Sequence, residues 1–223
     1  KSLRYGKIMI MTDQDHDGSH IKGLVINVFH TLWPELLELG FITSMITPII
    51  KATKGKKTIS FYTLTEYNEW QEKTTDYKKW SIKYYKGLGT SSASEAKEYF
   101  KNIKMNNYIF TEESNQSMSL AFSKSESDNR KQWLYNYNEK NILNHTDTEI
   151  SISEFINKEL IHFSNSDTLR SIGSVYDGLK PSQRKILYSC FKRNLYKEIR
   201  VAQLAGYVSE HAAYHHGEAS LQS

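Results

Sequence analysis

Apolar positions recur along residues 21–37 as Ile21, Leu24, Val25, Val28, Phe29, Leu32, Trp33, Leu36 and Leu37, the i, i+3, i+4 spacing of an amphipathic helix. The residues just before follow another rule. Residues 7–11 read KIMIM, an apolar run of the kind a buried parallel strand makes. Ser19 suits the helix N-cap, and Pro34, which lacks an N–H donor and disfavours helical geometry at Trp33, predicts a kink or a restart. After Gly40 the stretch FITSMITPII is a second strand candidate. Strand, acidic turn, helix and strand make a βαβ unit of an α/β fold, whose ligands gather at the carboxyl ends of the strands.

Further along, residues 51–60 (KATKGKKTIS) predict a basic, hairpin-like connection, followed by the aromatic stretch FYTLTEYNEW. The strand-like SIKYY leads into a loop loosened by Gly87 and Gly89, and Ser92 with Glu95 forms a capping box that opens a helix. Backbone amides at such a helix start favour anions, and Lys86 adds a fixed charge. Residues 102–148 are polar and rich in Asn and Ser and predict the least order, although DNRKQWL sets Arg130 and Lys131 beside an anchoring Trp133. From Ser164 the pattern turns helical. Asp177-Gly178 makes a turn, Pro181 suits a first helical position, and Ile186, Leu187, Cys190 and Phe191 form one apolar face. Gln183, Arg184, Lys192 and Arg193 occupy the polar face, which suits a helix-turn-helix reader of DNA and a surface helix alike.

Composition narrows the classes. A chain of 223 residues can form one large or two smaller domains with a real core. It shows no apolar run of membrane-spanning length and no basic-then-apolar leader, so neither a membrane span nor a secretory signal is read from it. Cys190 is the sole cysteine, which excludes an intrachain disulfide, fits a reducing compartment such as cytosol or nucleus, and reads as a buried small hydrophobe. Starting at Lys1 without a methionine and ending at Ser223 inside an unfinished helical pattern, the chain reads as an internal piece of a longer protein. Net charge is +4, yet residues 170–200 hold eight Lys/Arg against Asp177 and Glu198. One concentrated basic segment in a slightly acidic remainder points to a polyanion contact in the C-terminal third.

The chemistry centres on TDQDHDG, where Asp13, Asp15 and Asp17 are spaced by one residue. DQDHDG matches the opening of an EF-hand calcium loop, but the bidentate Glu required at the twelfth position is replaced by Leu24. Side chains alternate along an extended chain, so Asp13 and Asp15 are expected to leave the strand end on the same side. Clustered carboxylates that keep several water ligands suit Mg²⁺, which usually shares its shell with substrate phosphates. Asp17-Gly18 as ordinary turn chemistry is the plain alternative. His211 and His215, four apart, could face zinc, but no third ligand at familiar spacing accompanies them.

Four segments in order, IMIMTDQDHDGSHIKGL, YYKGLGTS, DGLKPSQRKIL and AYHHGEASL, resemble the type IIA DNA topoisomerases. FINKELIHFS and VAQLAGYVSE resemble the eukaryotic topoisomerase II branch more than bacterial gyrase. The resemblance implies a Rossmann-like Toprim domain of the α/β class that holds catalytic Mg²⁺, followed by the start of an α-rich winged-helix domain. It divides the chain into the second half of Toprim (1–50), a Toprim extension and connector (51–165) and the start of the winged helix (166–223).

Residue by residue, the resemblance makes Asp13 and Asp15 the metal ligands, with Asp17 a weaker neighbour. Arg130 and Lys131, Lys180, Tyr214 and Ser220 carry over as contacts to double-stranded DNA, and Tyr214 is not the nucleophile. The implied protein is a nuclear homodimer that uses ATP bound by a domain absent from this chain. The Toprim glutamate is expected before Lys1 and the nucleophilic tyrosine beyond Ser223, so residues 1–223 alone are expected to cleave no DNA. A Toprim nuclease or primase-like protein, and a non-catalytic DNA-binding module with a structural metal, are the competing classes.

Overall fold

The computed structural model describes residues 3–85, 88–144, 148–214 and 216–223. The βαβ unit forms as the pattern predicts. β1 (Ile8–Ile10) leads through α1 (His16–Leu32) and α2 (Pro34–Glu38) to β2 (Ile42–Met45), which pairs parallel to β1 with Ile8 opposite Ile42. Pro34 restarts the helix as its first residue, where a missing N–H costs nothing.

The helix buries only part of the predicted apolar stripe: Val25 and Phe29 pack against the core, but the buried face is shifted toward polar positions. Ile21, Leu24, Val28 and Leu32 are 44–58% exposed, whereas Ser19, Lys22 and Ile26 are buried. β1 also differs, since Ile8 and Met11 are exposed and the strand lies at the edge of its sheet.

Two further strands complete that sheet, in the order β1-β2-β6-β7. β6 (Met105–Ile109) runs antiparallel to β2, and β7 (Glu149–Ser151) runs parallel to β6. Residues 102–148, expected to be the least ordered, thus supply a central strand and two helices, α5 (Ser114–Phe122) and α6 (Ser127–Tyr135). The strand was hidden because its inward positions are Asn106 and Tyr108, both buried, with the Tyr108 phenol 3.0 Å from the Ser44 hydroxyl. α5 was hidden because it packs through small polar residues, Ser114 and Ser117, beside Met118. Segments 1–50 and 51–165 therefore share one sheet and one core, which includes Ile10, Ile26, Ile42, Tyr108, Ile150 and Phe155.

A second, antiparallel sheet, β4-β3-β5, holds β3 (Ile50–Lys54), β4 (Lys57–Phe61) and β5 (Ser81–Tyr84). The hairpin expected from KATKGKK is present, and Gly55, at φ +59°, takes the backbone that an L side chain rarely adopts. α3 (Leu64–Lys73) covers one face with Tyr67 and Trp70, opened by a Thr63–Glu66 capping box. On the other face the expected Ser92–Glu95 box opens α4 (Ala93–Lys101). Lys51, 7% exposed, lies between the Tyr99 ring at 4.8 Å and the Glu98 carboxylate at 3.5 Å. The chain divides into two compact units, residues 1–164 and 165–223, within α8 (Ile161–Ser171), which follows α7 (Ile152–Phe155) and a π turn at Ile156–Leu160. The second unit holds α9 (Pro181–Lys192), α10 (Val201–His211) and α11 (Ala219–Gln222). Among the described residues no helix is long and apolar enough to cross a membrane.

Glu95 makes this second sheet sensitive to acid. Burial raises its carboxyl, but bonds from the Tyr85 hydroxyl, the Ser92 amide and Lys83 outweigh burial and lower it from 4.5 to about 2. A depressed carboxyl contributes stability that is present above its unfolded value and lost as pH falls toward the folded one. Urea denaturation of the wild type is expected to lose stability between pH 4.5 and about 2, and Glu95→Gln is expected to flatten that part of the profile.

Candidate metal and nucleic-acid site

The aspartate loop leaves β1 at Ile10, so helix capping rather than strand alternation orients its carboxylates. Asp15, not Ser19, is the N-cap of α1. Its backbone is extended and its Oδ1 accepts the Gly18 N–H at 2.7 Å, as capping side chains do. Asp17 falls in the first helical turn, where the helix dipole favours an anion. Between them, Gln14 donates from Nε2 to the Met45 carbonyl at 3.1 Å and pins the loop to the end of β2.

Gly18 is not a turn glycine but a close-approach one. A Cβ there would stand 1.9 Å from the Asp13 carbonyl oxygen and 3.2 Å from Thr12 Oγ1. The backbone of Asp13 is thereby laid directly on the first turn of α1, with the carboxylates of Asp13 and Asp15 exposed two residues apart.

Behind the loop, the inward face of α1 is built from Gly18, Ser19, Lys22, Gly23 and Ile26. Gly23 lets the helix approach closely, since its Cβ would meet Leu160 and Phe122 at 3.2 Å. Lys22 forms an ion pair with Glu159, and these side chains are only 4% and 10% exposed. Ser19 Oγ lies 2.7 Å from Glu159 Oε1 and 3.1 Å from the Asp15 carbonyl, which links the pair to the aspartate loop. Glu159 lies in the π turn, a local distortion frequent at functional sites. Asp15, His16, Ser19, Glu159 and His162 line a cleft of about 320 Å³ on this side of the loop. Lys22 and Glu159 escaped the sequence reading, although a lysine in one helical row with Gly18, Ser19, Gly23 and Ile26 is itself a signal of a buried, paired charge.

The expected DNA contacts lie as follows. Arg130, half-buried on α6, donates from Nη1 to the carbonyls of Leu120 at 3.0 Å and Ser123 at 2.6 Å, so it caps the C-terminal end of α5. Lys131 is exposed, 2.7 Å from Asp128, and Trp133 anchors the helix through Nε1 to Asn157 at 2.9 Å. In the helical unit Lys180 is exposed at the start of α9, its backbone N–H bonded to Gln183 Oε1 at 2.9 Å. Arg184 forms a bidentate pair with Asp177 at 2.8 and 2.9 Å, and its guanidinium holds the Asp177 carboxyl below the usual range.

The apolar face expected on α9 is only partly used, because Phe191 is 78% exposed while Ser189 is buried. The Tyr214 hydroxyl is bonded to that of Ser220, which also donates to the Gly217 carbonyl at 2.7 Å. Lys185 holds the start of that segment by donating to the Ala213 carbonyl at 2.7 Å.

His211 stacks on Tyr207 at 4.0 Å, and His215, four residues on, lies outside the described residues, as do Lys86 and Gly87. Among the described residues no group of three or more His, Cys, Asp or Glu is arranged to hold a metal. Two exposed carboxylates are a hard-oxygen donor set, which fits a cation that completes its shell with water and phosphate oxygens.

An α/β unit with carboxylates following a parallel strand stands in one chain with a helical unit that carries a basic helix. The family model of the C-terminal associated domain of TOPRIM matches residues 45–168, and that of DNA gyrase/topoisomerase IV matches residues 170–223. Human DNA topoisomerase 2-alpha is 53% identical over 99% of this chain, and chicken DNA topoisomerase 2-beta is 54% identical over 99%. The crystal structure of the Plasmodium falciparum topoisomerase II DNA-binding, cleavage and re-ligation domain superposes with a TM-score of 0.83 at 52% identity, covering all of this chain and 31% of that one. The chain spans 14–15% of the length of the two curated relatives. It belongs to the family of the C-terminal domain associated with TOPRIM, and its resemblance to eukaryotic type II topoisomerases extends over essentially its whole length.

Two substitutions probe the frame behind the loop. Removing one partner of a buried pair leaves the other charge uncompensated, so Glu159→Ala is expected to cost about 3–5 kcal/mol in urea denaturation. The apolar double variant Lys22→Met/Glu159→Leu is expected to cost less than Glu159→Ala alone, because neither charge is then left behind. Gly18→Ala is expected to destabilise the chain and to raise amide hydrogen exchange in residues 12–19, since the Asp13 carbonyl must move to admit the new carbon.

Proposed function

We propose that the chain is the metal-holding and DNA-gripping part of the cleavage and religation core of an ATP-dependent type II DNA topoisomerase. The observation that carries this reading is the pair of exposed carboxylates, Asp13 and Asp15, fixed at the end of a parallel strand in a chain whose relatives are named DNA topoisomerase 2. The reaction is a transesterification in which a tyrosine outside residues 1–223 attacks a backbone phosphate on each strand, forming a tyrosyl–phosphate ester as the sugar hydroxyl leaves; that hydroxyl attacks back when the strand is rejoined. A second duplex crosses the gap and the ends are resealed. Asp13 and Asp15 would hold Mg²⁺, whose bound charge supplies stabilisation of the phosphate as negative charge develops.

The chain's own residues bind and orient. Lys131 and Lys180 present exposed ammonium groups to the DNA backbone. Arg130, whose Nη1 caps α5, would turn its remaining guanidinium donors to the backbone, and Tyr214 with Ser220 offers a coupled pair of hydroxyls. Tyr214 is a contact and not the nucleophile. The whole protein acts as a homodimer in the nucleus. The match of residues 170–223 to the gyrase/topoisomerase IV family supports this reading over a Toprim nuclease, which would have no use for the DGLKPSQRKIL and YHHGE segments.

Denaturing electrophoresis of labelled duplex incubated with the whole protein tests the assignment. The wild type is expected to form a Mg²⁺-dependent covalent adduct, and Asp13→Asn/Asp15→Asn to lower its rate by roughly a hundredfold or more, the scale on which removing one stabiliser of developing charge acts. Adduct formation at the wild-type rate by the double variant would overturn it. Lys180→Ala is expected to lower the slope of log affinity against log salt by about 0.9, the contribution of one phosphate contact.

A further inference from the structure

The end of the three-stranded sheet remote from the aspartate loop carries a cluster of charge that the cleavage reading does not use. The turn between β3 and β4 has two residues, Gly55 and Lys56. Only Gly55 has positive φ, the arrangement of a tight II′-type hairpin. The turn closes on Lys54 directly opposite Lys57, a like-charge cross-strand pair of the kind that costs stability in a sheet.

β5 continues the same row. Thr53 pairs with Ser81, so Trp80 stands next to Lys54, and both ammonium groups gather at its ring, Lys54 at 6.0 Å and Lys57 at 5.8 Å from the centroid. Lys78 and Lys79 precede Trp80 on a short 3₁₀ turn. Lys54, Lys56, Lys57, Lys78 and Lys79 are all exposed. Asp76 is the one carboxylate engaged with them among the described residues, bonded to Lys54, whose hydrogen bond holds its carboxyl below the usual range. Trp80 itself is fixed edge-on against Trp70 at 5.3 Å, so the ring that gathers the lysines is part of the core of the sheet.

We propose that this lysine row on the β3–β4 hairpin and Trp80 is a second, sequence-independent contact for the phosphate backbone of double-stranded DNA. The row complements a polyanion in charge and stands on the packed sheet. Five lysines with one carboxylate among them are placed together by strand register and a 3₁₀ turn, and two of their ammonium groups, those of Lys54 and Lys57, are already gathered at the Trp80 ring. A polyanion that meets them releases condensed counterions, which makes such a contact strongly salt-dependent and indifferent to base sequence. The inference rests on the topoisomerase reading for its ligand. An acidic protein segment is the competing partner, which poly-glutamate as a second probe distinguishes.

The test uses the whole protein with Lys56, Lys57, Lys78 and Lys79 replaced together by Ala, and again together by Arg. Lys54 is kept so that its pair with Asp76 stays intact. Affinity for a short mixed-sequence duplex is measured across a salt series, with poly-glutamate as a second probe and urea denaturation as the control for folding. The alanine variant is expected to lower the log–log slope by roughly 2 or more, since each phosphate contact contributes about 0.9, and the arginine variant to keep the wild-type slope. An unchanged slope in the alanine variant, beside a steep slope in the wild type, would overturn the hairpin contact and leave the topoisomerase reading standing. Loss of poly-glutamate binding with duplex binding intact would overturn it in favour of an acidic protein partner. Failure of the wild type to bind duplex would overturn the topoisomerase reading and this inference with it.

Discussion

The backbone of Asp13 rests on Gly18, and the position of the candidate metal site depends on that contact. No larger residue fits, because a Cβ at Gly18 would stand 1.9 Å from the Asp13 carbonyl. Asp15 closes the turn by accepting the Gly18 N–H, so one glycine serves the loop through both its missing side chain and its amide. Ser19, one residue on, passes the constraint inward to Glu159 and Lys22. A loop of exposed carboxylates would otherwise be held only by its own solvated turns. Here it is tied to the centre of α1 and to a π turn more than a hundred residues away in sequence.

A buried lysine and glutamate are a poor source of net stability, since desolvation offsets most of their attraction. Their value at this place is geometric. The pair can be satisfied only when α1 and the π turn meet in one register, and Gly23 makes that meeting close. The same contact orients the first turn of α1, and with it the two carboxylates that would share a cation with a DNA phosphate. Rigidity of this kind is what positioning of a metal and a phosphate requires, because small displacements of reacting groups cost large factors in rate.

Much of this was legible in the sequence where local chemistry decides the outcome. The βαβ unit followed from periodicity, the restart at Pro34 from its missing donor, and the 51–60 hairpin and the Ser92–Glu95 box from residue types at fixed offsets. What escaped depended on tertiary partners. The buried face of α1 runs through Ser19 and Lys22 and takes in only Val25 and Phe29 of the helix's apolar stripe, because Glu159 and two glycines shift which side packs. β6 hides a buried Asn106 and Tyr108 in a polar run, and α5 packs on serines. Asp15 rather than Ser19 caps α1 because the loop folds back onto Gly18, a contact that no local pattern announces. The family resemblance, carried by four ordered motifs, was legible in full and agrees with the matched relatives over 99% of the chain.

The central claim is that the Asp13–Asp15 loop seats a hard cation against a DNA phosphate. The most direct measurement is crystallography of the whole protein bound to duplex in the presence of Mn²⁺, recorded at a wavelength where the manganese scatters anomalously. The account predicts an anomalous peak within coordination distance of the Asp13 and Asp15 carboxylates and of a backbone phosphate oxygen. A manganese peak bound elsewhere, with both carboxylates facing only solvent, would contradict it.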